Sequence, residues 1–298
     1  MKNTYVITGA TGNTGGAVAR ELLKAGHVVK VLGRNVEKLK PLTDAGAIAL
    51  QGDVLDENFL KTAFTGADGI YLMVSVPLNE KDMRMAYQKQ SSVFLNAVKA
   101  SGVKNIVWLS SVGTHDGSSK SIIQGLADME HEWSKEKELN TLFLRASYFM
   151  ENAMWQIDTI KQMGIAGGPI HGELKFPMVA TKDIGKVAAE HLVQLDFKGQ
   201  AHEYVLGQRD VSYNELTELI GQEIGKPDLK YVAFPYDDSV KAMIGMGMSE
   251  DASNRMVQLS RDINDGKVYE ESKRTALNTT ATSVEEFVKT IGQIYRSN

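Results

Sequence analysis

The sequence predicts an α/β protein built on a doubly wound parallel sheet, completed by a smaller C-terminal α/β domain. Three observations carry that expectation. Strand-like runs alternate with amphipathic helical runs over the first half of the chain, the rhythm of parallel strands joined by helical crossovers. The chain opens on a short apolar strand, a turn with glycines at 9, 12 and 15, and then a helix. Its 298 residues, 43% of them apolar, suffice for one large α/β domain with a smaller partner.

Thr4 to Thr8 reads as a buried strand, and the helix is expected from Ala17 to Ala25, with Val18, Leu22 and Leu23 on one face. Between them, Gly9 lets the chain turn out of the strand, Gly12 lets backbone approach a ligand, and Gly15 lets the helix pack close to the strand. Strand, glycine turn and helix in this order form a dinucleotide-binding arrangement. The free N–H groups of the first helical turn face the phosphates, and the helix dipole assists them. Gly9, Thr11, Gly12, Asn13, Thr14 and Gly15 are therefore the expected pyrophosphate contacts.

The second strand is Val28 to Leu32, followed by Gly33-Arg34-Asn35. An Asp or Glu at this point would accept from the ribose 2′-OH of NAD(H). An Arg instead pairs with the 2′-phosphate, so NADP(H) is preferred over NAD(H). The plainer reading makes Arg34 a solvated residue before a helix of Val36 to Leu42. A third strand, Ala47 to Gln51, ends at Gly52-Asp53-Val54. There Asp53 either accepts from the adenine amino group, with Val54 against the ring, or caps a turn. Gly69 to Ser75 is the fourth strand, and Ser75, Val76 and Pro77 border the cofactor outside the strand carboxyl ends. A long helix, Met83 to Ser101, leads to a fifth strand, Asn105 to Ser111. A charged helix follows from Ile122 to Lys137, and then a strand from Asn140 to Arg145.

The pattern changes after Arg145. Ser147 to Trp155 is an aromatic-rich switch into a helix, and Gly164 to Gly172 is a glycine-rich connection. Phe176 to Ala180 and the helix Lys182 to Val193 are expected back in the nucleotide domain. Tyr204 to Leu206 reads as a further strand. Ser212 and Glu215 form a capping box, Asp237 to Arg261 reads as helical, and the last helix runs from Ser283 to Tyr295. The run Met243 to Met248 suits either core filler or an adaptable contact surface. The resulting division assigns 1–150 with 177–200 to the nucleotide-binding domain and 151–176 with 201–298 to the lid.

Composition narrows the function. With no cysteine there is no disulfide, thiolate metal site or cysteine nucleophile, and the six histidines lack metal-ligand spacing. A net charge of −4 argues against a nucleic-acid surface. No apolar run is long enough to span a membrane, and the opening strand leaves no room for a signal peptide. A cytoplasmic protein with a small-molecule ligand and no metal is expected.

Taken together, these segments resemble the NmrA-like branch of the atypical short-chain dehydrogenase/reductases. The matching residues are Val6 to Gly15, Gly33-Arg34-Asn35, Gly52-Asp53, the segment Leu144-Arg145-Ala146-Ser147-Tyr148-Phe149-Met150-Glu151-Asn152, and the ending Thr279 to Phe287. The glycine motif is common to a large superfamily, whereas its combination with Arg-x-x-x-Phe-x-Glu-Asn is more specific. The resemblance implies a Rossmann-like domain binding NADP(H) and a small lid over the nicotinamide. It implies two kinds of function. Some members reduce quinones, azo or triphenylmethane dyes, or phenylpropanoid-type compounds, and others are redox sensors acting on a protein partner.

The superfamily's usual acid is a Tyr with a Lys four residues later. Of ten tyrosines only Tyr269, with Lys273, has that spacing, and it lies far downstream of the fifth strand. The expected helix, Ile122 to Lys137, contains no Tyr, and Gly125 or Leu126 stands where catalytic relatives carry Lys. The catalytic group is thus undetermined. Ser111, Tyr148 and His115 are candidate donors, with His115 also readable as a loop residue and Tyr148 as a pocket wall. Ser111, Tyr148, Phe149, Asn152 and Trp155 are the expected substrate pocket. The leading expectation is an NADPH-dependent reductase of quinone-like or dye-like substrates. The alternative is a non-catalytic NADP(H) sensor with a protein partner. A homo-oligomer is compatible with either.

Overall fold

The computed structural model describes residues 2–297. Its main sheet has seven parallel strands. They are β1 (Thr4–Ile7), β2 (Val28–Gly33), β3 (Ile48–Gln51), β4 (Gly69–Leu72), β5 (Asn105–Ser111), β6 (Asn140–Ala146) and a late strand at Gln200–Val205. The order across the sheet is late strand, β6, β5, β4, β1, β2, β3, so the winding reverses between β1 and β4. Helices cover both faces, as the alternating pattern requires. On one face α1 (Asn13–Lys24) packs Val18 and Leu22 onto Ile7, Val29 and Val31. The short α2 (Lys40–Thr43) closes that side, with Leu42 in the core. On the other face lie α3 (Glu57–Phe64), α4 (Met83–Ser101) and α5 (Ile123–Trp133). They bury Phe64, Phe94 and Trp133 over Ile70 and Trp108. The indoles of Trp108 and Trp133 meet edge to face at 4.4 Å, and Trp133 Nε1 donates to Ser91 Oγ at 3.0 Å.

The smaller half has its own core. It begins with β7 (Tyr148–Phe149), a 3-10 turn at Met150–Trp155, α6 (Gln156–Met163) and β8 (Ala166–Gly168). After β9 (Phe176–Val179), helix α7 (Thr181–Gln194) returns to the main sheet beside α1. There Gly185 permits an approach so close that a Cβ would sit 2.4 Å from the Ala17 Cβ. The late strand is β10 (Gln200–Val205). β11 (Asp210–Val211), α8 (Tyr213–Glu223), β12 (Tyr231–Ala233), α9 (Tyr236–Gly245), α10 (Glu250–Asn264) and α11 (Val284–Ser297) complete the chain. β7, β9 and β11 form a three-stranded sheet, and β8 pairs with β12. Tyr213, Phe176, Val211, Ile263 and Phe287 fill the lid core.

Several expectations shift. α1 begins at Asn13, four residues before Ala17, because the glycine turn runs directly into the helix. The Val36–Leu42 helix divides into a 3-10 turn at Glu37–Leu39 and α2, which has Pro in its first turn. β4 stops at Leu72, since Met73 N donates to the Thr8 hydroxyl rather than to a neighbouring strand. α5 ends at Trp133, short of Lys137. The Asp237–Arg261 stretch is two helices, broken where Gly247 takes φ +92° and Ser249 caps α10 through Ala252 N. Two strands change sides. β9, expected with the nucleotide domain, pairs with β7 and β11 in the separate three-stranded sheet, and β10, placed outside that domain by a boundary at 200, hydrogen-bonds to β6 as the main sheet's seventh strand. The capping box stands, with Ser212 Oγ accepting from Glu215 N at 3.2 Å. Among the described residues no helix is long and apolar enough to cross a membrane.

Candidate functional site

The crevice at the β1–β4 reversal is where a doubly wound sheet binds its ligand. Gly9 has φ +62°, and a Cβ there would sit 2.2 Å from Met73 Sδ. At Gly15 a Cβ would lie 2.5 Å from Gly9 O and 2.7 Å from Thr8 O, backbone atoms that cannot swing aside. Gly12 N donates to Gly9 O at 2.9 Å and closes the turn. Thr8 stitches the two strands, its hydroxyl donating to Tyr71 O at 3.1 Å and accepting from Met73 N at 2.9 Å. Thr11, Gly12 and Asn13 are exposed, and Thr14 is buried with its hydroxyl 3.6 Å from Met73 Sδ. No side chain caps α1 and no acid stands in its first turn, so its leading N–H groups point into the crevice unspent.

Around this cradle the remaining expected residues fall at the carboxyl ends of the strands. Arg34 follows β2 and is exposed. Its carbonyl accepts from Gln51 Nε2 at 3.2 Å, and its guanidinium has no partner among the described residues. Asp53 does cap a turn, Oδ1 accepting from Leu55 N at 2.9 Å, with Val54 half-buried beside it. Ser75, Val76 and Pro77 form the loop after β4. Ser75 N donates to Gln90 Oε1 at 3.3 Å. Gln90 is 2% exposed, and sequence reasoning missed it. The signal was a polar residue one turn before Phe94 on the sheet-facing side of α4.

The catalytic and pocket candidates are more dispersed. Ser111 ends β5, half-buried, with its carbonyl accepting from the Thr114 hydroxyl at 3.0 Å. His115 instead lines a separate cavity of about 300 Å³ over β10, beside His131 and His202. Tyr148 is drawn toward the lid core. Its hydroxyl lies 2.9 Å from that of Tyr213 and its ring meets Phe176 edge to face at 5.5 Å. Burial raises its pKa against the opposing pull of Tyr213 and Asn152. Phe149 packs onto the α1 face of the main sheet, Asn152 is half-buried, and Trp155 is 60% exposed.

α5 carries no Tyr, and Gly125 has a packing role, since a Cβ there would lie 2.7 Å from the Tyr87 ring. Burial pushes the Tyr87 hydroxyl up to about 12. Tyr269, with the only Tyr-x-x-x-Lys spacing, stacks on Phe176 at 5.8 Å inside the lid. Among the described residues no group of acidic or His side chains has metal-binding geometry.

The Arg145–Asn152 segment works as a bracket. Arg145 Nη2 pairs with Glu130 Oε2 at 2.7 Å, both side chains little more than one-tenth exposed, and Arg145 Nη1 donates to the Tyr204 hydroxyl at 3.2 Å. Glu130 also accepts from Ser110 and from Thr114. Glu151 accepts from Thr181 N at 3.0 Å and from its hydroxyl at 2.5 Å, which caps α7. Burial raises the Glu151 pKa, and those bonds offset part of the rise. The next residues of α7 are tied as well. Lys182 Nζ lies 2.5 Å from Glu286 Oε1, and Asp183 accepts from Thr282 N at 2.9 Å and its hydroxyl at 2.7 Å.

The sheet order, the reversal point and the glycine cradle define a Rossmann-type dinucleotide-binding protein. The NmrA-like family model matches residues 1–288, and the chain belongs to that family, an atypical short-chain dehydrogenase/reductase group with an NAD(P)-binding Rossmann-type fold. An NAD(P)H azoreductase from Xenophilus azovorans is 27% identical over 254 residues, 85% of each chain. Among solved structures, an NADPH-dependent quinone oxidoreductase from Escherichia coli, complexed with NADPH, has a TM-score of 0.79 at 21% identity, covering 96% of this chain and 99% of that one. The negative transcriptional regulator NmrA, complexed with NADP, has a TM-score of 0.71 at 13% identity, covering 99% and 97%.

Proposed function

We propose that this protein is an NADPH-dependent reductase of planar, electrophilic, quinone-like or dye-like substrates. The observation that carries the reading is an uncapped glycine cradle beside Arg34, whose guanidinium has no partner among the described residues and which stands directly after β2 in place of an acid. The cradle suits the cofactor, because a Cβ at position 15 would strike Gly9 O, so the helix starts hard against the turn with no side-chain cap and no acid over its first N–H groups. Bound NADPH supplies the hydride. Residues 9 to 15 hold the pyrophosphate by backbone N–H groups, and Arg34 pairs with the 2′-phosphate. Asp53 keeps its second carboxylate oxygen for the adenine amino group, against Val54. Ser75 to Pro77, steadied by Gln90, border the nicotinamide. Ser111, at the end of β5, borders the substrate space with Asn152 and the exposed Trp155 at its rim, whereas Tyr148 and Phe149 stand behind it in the two cores. A delocalised acceptor needs chiefly orientation and dryness, so the missing Tyr/Lys pair matters less than it would for a simple ketone. The azoreductase and quinone oxidoreductase relatives favour the same substrate class.

The second reading is a nucleotide sensor that acts on a protein partner. Its support is the missing Tyr/Lys pair in α5, where Gly125 packs on Tyr87, together with the fold shared with the regulator. A fluorescence titration with NADPH and NADH, followed by a quinone acceptor while absorbance near 340 nm is read, separates the two. Acceptor-dependent NADPH oxidation supports the reductase, and tight binding without oxidation on quinone and azo acceptors overturns it. In the same titration Arg34→Ala weakens NADPH by about 1–3 kcal/mol and leaves NADH nearly unchanged. Equal loss for both removes Arg34 from the 2′-phosphate site.

A further inference from the structure

Outside the crevice, a cavity of about 530 Å³ opens between α10, the start of α9 and the segment leading into α5. That volume suits a small molecule, and the wall is about half polar, with charged and amide-bearing side chains among its lining residues. Its cations are Lys120, Arg255 and Arg261, and its carboxylates are Asp237 and Asp251.

The charges are unequally engaged. Both oxygens of Asp251 accept from Arg255 Nε, at 3.0 and 2.9 Å, and Oδ2 also accepts from Met83 N at 2.8 Å. Ile122 N donates to Arg255 O at 3.3 Å. This pair therefore staples α10 to the start of α4 and to the approach to α5. Arg261 has no carboxylate partner among the described residues. Its guanidinium carbon lies 3.9 Å from the centre of the Tyr236 ring, a cation–π contact that leaves its N–H groups without a hydrogen-bond acceptor among the described residues. Lys120 Nζ likewise makes no ion pair among the described residues, and it lies on the same wall. Asp237 is the one carboxylate of the lining left to oppose them.

We infer that this cavity binds the oxyanion of a small polar ligand, a phosphate or a carboxylate, with Arg261 and Lys120 as its anchors. The stacked guanidinium offers two parallel N–H donors to a planar or tetrahedral oxyanion, and Lys120 adds a point charge. None of the dinucleotide residues lines this cavity, so the site is additional to the crevice. The inference does not depend on the reductase reading, because it concerns binding alone. α10 is also joined to the loop after β4, Ser249 N donating to Leu78 O at 2.9 Å. The Ser119 hydroxyl donates to Asp262 Oδ2 at 2.8 Å. A ligand here therefore touches a helix fastened to both loops that emerge beside the crevice.

The test is calorimetric titration of the full chain, saturated with NADPH so that the crevice is filled, using inorganic phosphate in one arm and succinate in the other. One saturable site per chain is expected in at least one arm, and the tighter arm identifies the source of the oxyanion. Arg261→Ala weakens that binding by about tenfold and Lys120→Ala by somewhat less. Asp237→Asn tightens it severalfold, a gain that damaged folding cannot imitate. No saturable binding in either arm overturns the inference. So does binding that Arg261→Ala and Asp237→Asn leave unchanged, since that anion sits elsewhere.

Discussion

Two of the stretches that carry the family resemblance handle their polar groups in opposite ways. Apart from the Gly12 N–H and the Thr14 hydroxyl, the turn from Gly9 to Gly15 leaves its donors free, with an uncapped helix and exposed Thr11, Gly12 and Asn13. The segment from Arg145 to Asn152 consumes its own. Arg145 is spent on Glu130 and Tyr204, Tyr148 on Tyr213, and Glu151 on the start of α7. A motif with unspent groups faces a ligand, whereas one whose charged groups are paired internally holds the architecture that the ligand needs; within the second, the buried Ser147 hydroxyl alone is left without a partner among the described residues. A sequence signature alone does not distinguish the two.

The contrast is tested most severely at Arg145. Arg145→Ala strands Glu130 as a buried, unpaired charge and costs about 3–5 kcal/mol by urea unfolding. NADPH affinity of the folded fraction stays within about twofold of the parent. A double change of Arg145 and Glu130 to an apolar pair recovers most of the stability. A large affinity loss in the folded single variant would place Arg145 in the site and break the contrast. Gly15→Ala comes next. It forces a Cβ against Gly9 O, costs about 1–3 kcal/mol, and removes saturable NADPH binding because the cradle itself moves. Glu151→Ala removes the α7 cap at a cost of roughly 1–2 kcal/mol, read as a lower melting temperature with the NADPH titration unaltered.

The smallest effect lies at the far end of α7. Burial pulls the His191 pKa down, but hydrogen bonds to Glu203 and Asp196 outweigh it and lift it to about 9. A raised pKa means stability fully present below the unfolded value of about 6.5 and lost as pH rises through about 9. Because both carboxylates are partly exposed, the contribution is roughly 1 kcal/mol at most. Unfolding free energies between pH 6 and 10 should therefore fall more steeply for the parent than for His191→Gln, and parallel curves would show that α7 is braced at its first turn alone.

Much of this architecture is legible in the sequence, for identifiable reasons. β5 and α4 fall within the expected bounds because apolar periodicity and flanking turn residues agree there. The glycine cradle is legible because its constraint is local. β9 and β10 are not, since a short apolar run carries no record of which sheet will take it. Nor is the role of Gly125, which depends on Tyr87, distant in sequence. The methionine run ends up largely outside any core, with Met246 63% exposed, because it closes α9, a helix that buries only Ser239 among its residues. Glu151 and Arg145 stand inside a family signature, and only their partners reveal that they are braces.

Thr181 holds Glu151, while Lys182 and Asp183 hold Glu286 and Thr282, so the first turn of α7 ties together two stretches widely separated along the chain. Covalent continuity is therefore not what keeps the C-terminal tail in place. A protease cut near Leu277, which is 94% exposed, would sever the chain without severing the molecule. The released piece would carry Thr282, Glu286 and the whole of α11, still bound to α7 and packed on α8. The protein is in this sense already built as two complementary fragments that happen to share a backbone.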